Sequence, residues 1–147
     1  MDELTQQEAD GLLALAKFRV NEQRYQFPNP GDKLIAELCS NDRRETFFLD
    51  INRSSVSLSK ITYQNRARKI VILARLDVDG APHRNPDHSE ISCPHLHLYR
   101  EGFGDKWAFA VPVLAFNDLT NRMVTLRDFM KFCNIIEPPH IDSSLLS

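Results

Sequence analysis

Between Arg24 and Val111 the chain is cut by turn-forming residues into short runs rich in β-branched and aromatic side chains, and this punctuation constrains the fold more than any other feature. Pro28-Asn29-Pro30-Gly31 and Ser40-Asn41-Asp42 enclose the run Lys33 to Cys39. Proline, glycine, asparagine and aspartate each favour a turn for a separate backbone reason, so the run between them reads as a strand. Glu45 to Ile51, Val56 to Lys60, Lys69 to Asp79, His95 to Tyr99 and Lys106 to Val111 continue the series. About six strands with short connections predict an antiparallel meander or a half-open β-barrel.

Helical periodicity brackets this β-rich stretch. Thr5-Gln6-Gln7-Glu8 has the spacing of a capping box, and Ala9, Leu12, Leu13 and Ala16 form an apolar stripe from about Gln6 to Phe18. Near the other end, Thr125-Leu126-Arg127-Asp128 offers a second capping arrangement, with Leu126, Phe129, Met130 and Cys133 on one face. The expected organisation is one α+β domain over 1–147. It comprises an N-terminal helix in 1–20, a β-rich core over 24–112, a C-terminal helix in 118–135 and an extended or mobile proline- and serine-containing tail over 137–147.

Composition narrows the function. Eighteen basic and twenty acidic side chains leave a net charge of −2, so no global field recruits nucleic acid or an acidic membrane, although a local basic patch remains open. No apolar run approaches the ~20 residues needed to span a bilayer, and Met1-Asp2-Glu3 is unlike a signal peptide. The expected location is therefore the cytoplasm, with no membrane partner. Cys39, Cys93 and Cys133 are odd in number and lack CxxC spacing, which excludes a disulfide framework and a four-cysteine zinc module.

Chemistry concentrates in one segment. Four of the five histidines, His83, His88, His95 and His97, fall within fifteen residues, alongside Cys93, Asp87 and Glu90. On a strand, alternation puts His95, His97 and Tyr99 on one face and Leu96 and Leu98 on the other. The leucines are expected in the core, with the imidazoles facing water or a cleft. In the preceding strand Ile70, Ile72, Ala74, Leu76 and Val78 are expected on one face, and Val71, Leu73, Arg75, Asp77 and Asp79 on the other. The simplest antiparallel register places Asp79 opposite His95, Asp77 opposite His97 and Arg75 opposite Tyr99. The intervening loop, 80–94, is longer than a hairpin requires, a length typical of binding or lid elements.

Three chemistries suit such a cluster. His83, His95, His97 and Asp77 offer nitrogen and carboxylate ligands for a divalent transition metal such as zinc, manganese or iron. The same residues provide a general base and a general acid for cleaving RNA, with Arg66, Arg68, Arg75 and Lys106 holding phosphate. Tyr63-Gln64-Asn65-Arg66-Ala67-Arg68-Lys69 would then be a local basic patch along a nucleic-acid backbone; read blandly, it is a solvated turn and strand edge. In the third reading the cluster is structural: His83 and His88 cap turns, and His95 and His97 are satisfied polar residues on a solvated or partner-covered strand face. Glu101-Gly102-Phe103-Gly104-Asp105-Lys106-Trp107 reads either as a glycine turn before a core tryptophan or as a close-approach loop, and contains no dinucleotide fingerprint.

The stretch from Thr62 to Pro112 carries Tyr63 to Lys69, Arg75-Leu76-Asp77, Pro82-His83-Arg84-Asn85-Pro86 and Cys93-Pro94-His95-Leu96-His97, followed by Glu101 to Trp107. It resembles a family of small bacterial proteins of unknown function. The resemblance implies a setting on prophages and other mobile elements, suited to a toxin, an immunity factor or an inhibitor of host defence, and assigns no residue a role. Two functions are therefore carried forward. One is a toxin-type ribonuclease or other phosphate-ester hydrolase using the histidine cluster. The other is a non-catalytic module binding a partner protein encoded nearby.

Overall fold

The structure, a computed structural model, describes residues 3–143. The first helix, α1 (Gln6–Ala14), begins with the expected capping box: the Glu8 amide donates to Thr5 Oγ1 at 3.1 Å and the Thr5 amide to Glu8 Oε1 at 3.0 Å. It stops well short of Phe18, because Leu15 turns extended and Lys17–Arg19 form a strand, β1. Lys17 is the reason. Its side chain is fully buried, and its ammonium donates to the carbonyls of Leu13 (2.8 Å), Leu15 (3.0 Å) and Cys133 (2.7 Å), closing α1 where further helix would carry the amine away.

The strands that follow are β2 (Arg24–Gln26), β3 (Lys33–Cys39), β4 (Thr46–Arg53), β5 (Ile61–Ala67), β6 (Val71–Asp77), β7 (His83–Arg84), β8 (Glu90–Ile91), β9 (His95–Leu98) and β10 (Ala108–Ala110). Helix α2 (Arg122–Phe132) leads to β11 (Ile135–Glu137) and β12 (His140–Asp142). The main sheet has eight strands in the order β10-β9-β6-β5-β4-β3-β1-β11 and is not closed into a barrel. Its centre is an antiparallel meander, whereas β1 and β11 pair in parallel. Thus the α+β meander between two helices holds, with a larger and open sheet. Among the described residues no helix is long and apolar enough to cross a membrane.

Several local readings change. Residues 56–60 are a turn, because Ser54 Oγ accepts from the amides of Val56 and Ser57, leaving Val56 and Leu58 in solvent. The strand lies instead at 61–67, where Tyr63, Asn65 and Ala67 face inward and Gln64 and Arg66 outward, so the basic stretch is divided between a central strand, which holds Arg66, and the turn after it, which holds Arg68 and Lys69. α2 starts earlier than Thr125. Asn121 caps it, accepting from Met123 and Val124, while the buried Thr125 hydroxyl donates back within the turn to the Asn121 and Asp118 carbonyls. The tail to Asp142 is extended and paired: β12 runs parallel to β2, with Pro138 and Pro139 between β11 and β12. Its serine-containing end, 144–147, and the start Met1-Asp2 lie outside the described residues.

One face of the sheet makes the core. Leu34, Ile51, Tyr63, Leu76 and Leu96 form a transverse row, packed with Leu12 of α1 and Leu126 and Phe129 of α2. Burying each large apolar side chain contributes about 2 kcal/mol. The regular alternation expected over 70–78 breaks at a bulge, where β5 partners pass from Ala74 to Ile72 and leave Leu73 unmatched. Leu73 is buried, Val71 packs on the core, and Ile70 is exposed. The opposite face is polar, and on it the rows Asp50-Gln64-Arg75-His97 and Asn52-Thr62-Asp77-His95 run across four strands.

Candidate functional site

The pairing of β6 with β9 sets the site. Asp77 lies opposite His95 and Arg75 opposite His97, a shift of two residues from the simplest register; Tyr99 is already past the paired segment. The shift keeps Arg75, Asp77, His95 and His97 on their expected common face, since the strand period is two. Asp77 Oδ2 sits 3.1 Å from His95 Nε2 and 3.2 Å from His97 Nε2. One carboxylate oxygen thus bridges two imidazoles.

Neither imidazole projects into water as expected: His95 is 2% and His97 1% exposed. The segment 80–94 folds over them as the β7–β8 hairpin, bringing the His83 ring within 4.6 Å of His97 and 5.9 Å of His95, centroid to centroid. His83 Nε2 donates to the Lys106 carbonyl at 2.7 Å, which fixes the half-buried His83 at the rim. A side-chain amide latches the hairpin down. Asn85 Nδ2 donates to the Ala108 carbonyl (3.0 Å) and Asn85 Oδ1 accepts from the Ala108 amide (2.9 Å), so Asn85 stands in for a strand residue beside β10.

Hydrogen bonds also hold the deepest ring in place. His97 Nδ1 donates to the Asp105 carbonyl at 2.8 Å, which turns Nε2 toward Asp77 and Arg75. Arg75 Nη2 lies 2.9 Å from His97 Nε2, while its Nε donates to Asp77 at 3.1 Å and its Nη1 to Asp105 at 2.9 Å. Burial pushes the Asp77 carboxyl up, but the hydrogen bond from His97 and the charge and hydrogen bond of Arg75 outweigh it and hold it at about 2. Asp77 is therefore an anion at neutral pH. Cys93 Sγ lies 3.5 Å from His95 Nδ1, and burial raises its pKa, keeping it a thiol.

Asp77, His95 and His97 place one ligating atom each within 4.8 Å of one another, a two-histidine, one-carboxylate donor set fitted to a divalent transition metal. The Arg75 guanidinium stands where a cation would approach His97 Nε2, so loading requires it to swing away, with Asp105 as its remaining anchor. His83 adjoins this set through its ring without joining it.

The other sequence candidates separate from the cluster. Arg66 is spent on Asp50 in a two-pronged ion pair, with Nη2 to Oδ1 at 2.9 Å, and its guanidinium lies 4.5 Å from the Phe48 ring centroid. Arg68 pairs with Glu45 at 3.0 Å beside the β5–β6 turn. Lys106 meets the site through its carbonyl. Of the four cations, Arg75 touches the histidines through its side chain, and His88 lies exposed in the hairpin turn at positive φ. Sequence reasoning missed Asp105 and Asn85. Asp105 works largely through a backbone carbonyl, which leaves no trace in residue identity, whereas the Pro-flanked Asn85 in a long loop was a readable hint of a side chain replacing a strand partner.

A family model with the description "Family of unknown function (DUF6978)" matches residues 4–135, which include every residue of this cluster. No curated protein and no solved structure matches the chain.

Proposed function

The chain belongs to this family of unknown function, so its activity has to be read from its own residues, and we propose that it is a metal-dependent phosphate-ester hydrolase acting on RNA. The observation that carries the reading is the convergence of Asp77, His95 and His97 on one point, with the His97 ring held from behind by the Asp105 carbonyl. Zinc or manganese bound there would lower the pKa of a coordinated water toward neutrality and supply a nucleophile. Arg75, released from His97, is the cation that holds the phosphate, and His83 at the rim is placed to exchange a proton with the leaving oxygen. Three free thiols suit the reducing cytoplasm, and a toxin-type ribonuclease carried on a mobile element is the setting this chemistry fits.

The near-complete burial of His95 and His97 favours a second reading, in which the cluster clamps the hairpin and the polar sheet face docks a partner protein, as an antitoxin, immunity factor or inhibitor of a host defence complex would. Metal content of tag-free protein, measured by inductively coupled plasma mass spectrometry alongside cleavage of a fluorogenic single-stranded RNA, separates the two. The hydrolase reading expects near-stoichiometric metal and cleavage, both lost in His95→Ala/His97→Ala with the fold retained by circular dichroism. Metal-free wild-type protein, or cleavage unchanged by the double substitution, overturns it.

A further inference from the structure

On the opposite face of β5 and β6 from the histidines, a second feature goes beyond that reading. Arg53, at the end of β4, and Arg122, the first residue of α2, line a pocket of about 420 Å³ whose walls include Leu58, Ile61, Val78 and Leu119. Both guanidiniums lie near the same ring, that of Phe27, at 6.0 Å and 5.6 Å from its centroid.

Among the described residues neither arginine has an acidic partner. Arg53 is 8% exposed, donates through Nη1 to the Pro28 carbonyl at 3.1 Å, and leaves its buried Nε without a hydrogen bond. Arg122 also has a buried, unpartnered Nε, and among the described residues its guanidinium makes no hydrogen bond or ion pair. Burial, and then the charge of Arg122, lower the pKa of Arg53, with Tyr63 opposing them. Among the described residues Asp79 is the one carboxylate lining the pocket; it is exposed and already accepts from the Ser59 hydroxyl and the Gly80 amide.

Buried arginines are ordinarily paired, because an uncompensated charge away from water is costly. Here one buried arginine, Arg53, and one half-buried arginine, Arg122, meet at one pocket with donors to spare, and the positive end of α2 adds to the same field. A shared aromatic face recovers part of that cost and supplies no acceptor for the orphaned N–H groups. Guanidinium forks match carboxylate and phosphate oxygens, and the leucine, isoleucine and valine walls match an apolar body. We propose that this pocket binds the carboxylate or phosphate end of a small organic molecule, with the apolar remainder lying against Leu58, Val78 and Leu119.

The test is titration of the full chain with phenyl phosphate, benzoate, inorganic phosphate and uncharged benzyl alcohol. It is followed by calorimetry and by the arginine Nε–H signals in proton–nitrogen correlation spectra. Saturable one-to-one binding of phenyl phosphate or benzoate is expected, with the Arg53 and Arg122 Nε–H signals shifting. The tighter of the two identifies phosphate or carboxylate as the natural head group. Arg122→Gln should weaken binding by roughly tenfold or more. It should leave the melting temperature of the ligand-free protein unchanged or raised, since a like-charge contact is removed. Leu58→Glu, which sets a carboxylate at an exposed part of the wall and spares both arginines, should also abolish binding. Failure of both organic anions to saturate, binding unaffected by either substitution, or benzyl alcohol binding as tightly as benzoate would overturn the proposal. Inorganic phosphate binding as tightly as phenyl phosphate would refute the apolar wall.

Discussion

Replacing Lys17 by Met should change stability by an amount that grows with pH. The substitution keeps the length and most of the apolar stem of a fully buried side chain and deletes the ammonium that joins Leu13, Leu15 and Cys133 carbonyls. Burial lowers the Lys17 pKa from 10.5 to about 8, and the nearby Cys133 opposes this. A depressed folded pKa means that between those two values the unfolded chain holds the extra proton, so Lys17 makes stability rise with pH through that window. The shift corresponds to about 3 kcal/mol, the penalty that the buried charge imposes near neutrality. Three hydrogen bonds at about 1 kcal/mol each offset a similar amount. The variant should therefore be close to wild type at about pH 7. Near pH 10.5, where the neutral amine still donates two hydrogen bonds at no charge penalty, it should be about 2 to 3 kcal/mol less stable. Cys133 is pushed up to about 12 by burial and stays a thiol in the folded protein over this range, while its titration in the unfolded chain is common to wild type and variant. Urea denaturation of both proteins at several pH values gives the difference directly, other titrating groups cancelling. A difference that is constant with pH would refute the reasoning.

Other perturbations probe the cover, the cap and the metal set. Asn85→Ala should cost about 2 kcal/mol, by orphaning the Ala108 amide and carbonyl, and should speed hydrogen exchange at the Ala108 amide more than at Leu76 in the sheet centre. Asn121→Ala removes the acceptor for two amides of α2 and should lower the melting temperature by about 3 °C, corresponding to about 1 kcal/mol, as read by circular dichroism. Zinc added in excess should raise the melting temperature of wild-type protein and leave Asp77→Asn unmoved; an equal rise in both would place the ion elsewhere. Arg75→Ala, which clears the guanidinium from His97 Nε2, should tighten zinc binding while abolishing RNA cleavage, as measured by competition with a chromogenic chelator and by the fluorogenic RNA.

Legibility in the sequence followed the physics of each element. β3 was readable to the residue, because Leu34, Ala36 and Leu38 alternate strictly with exposed Lys33, Ile35 and Glu37 between two turn-forming segments. The common face of His95 and His97 was equally readable, since strand geometry alone assigns it. β5 was hidden, because its outward residues include Gln64 and Arg66 and the charge run masked the inward Tyr63 and Ala67. A bulge costs one residue and leaves no periodic mark, so the reversal at Leu73 escaped notice. The depth of the histidines depends on a hairpin folding back across the sheet and on Asn85 reaching Ala108; the loop hints at such a side chain, but no local pattern encodes its partner. The end of α1 turned on a lysine whose partners include a carbonyl more than a hundred residues away.

The placement of β1 between β3 and β11 has a consequence for how the chain acquires its structure during synthesis. The meander from β3 to β6 is built of neighbouring hairpins and can zip as it emerges from the ribosome, each pairing closing a short loop. β1 is made before all of these, yet its partner on the other side, β11, is not available until α2 has been translated. Until then the nascent protein carries an unpaired edge beside β3, together with a lysine lacking the Cys133 carbonyl that completes its hydrogen bonding. Elongation up to β11 is thus an obligatory waiting period for the outer side of the sheet. A chain stalled or truncated before residue 135 would expose an adhesive strand edge, prone to pairing with other nascent chains, while its central hairpins are already formed.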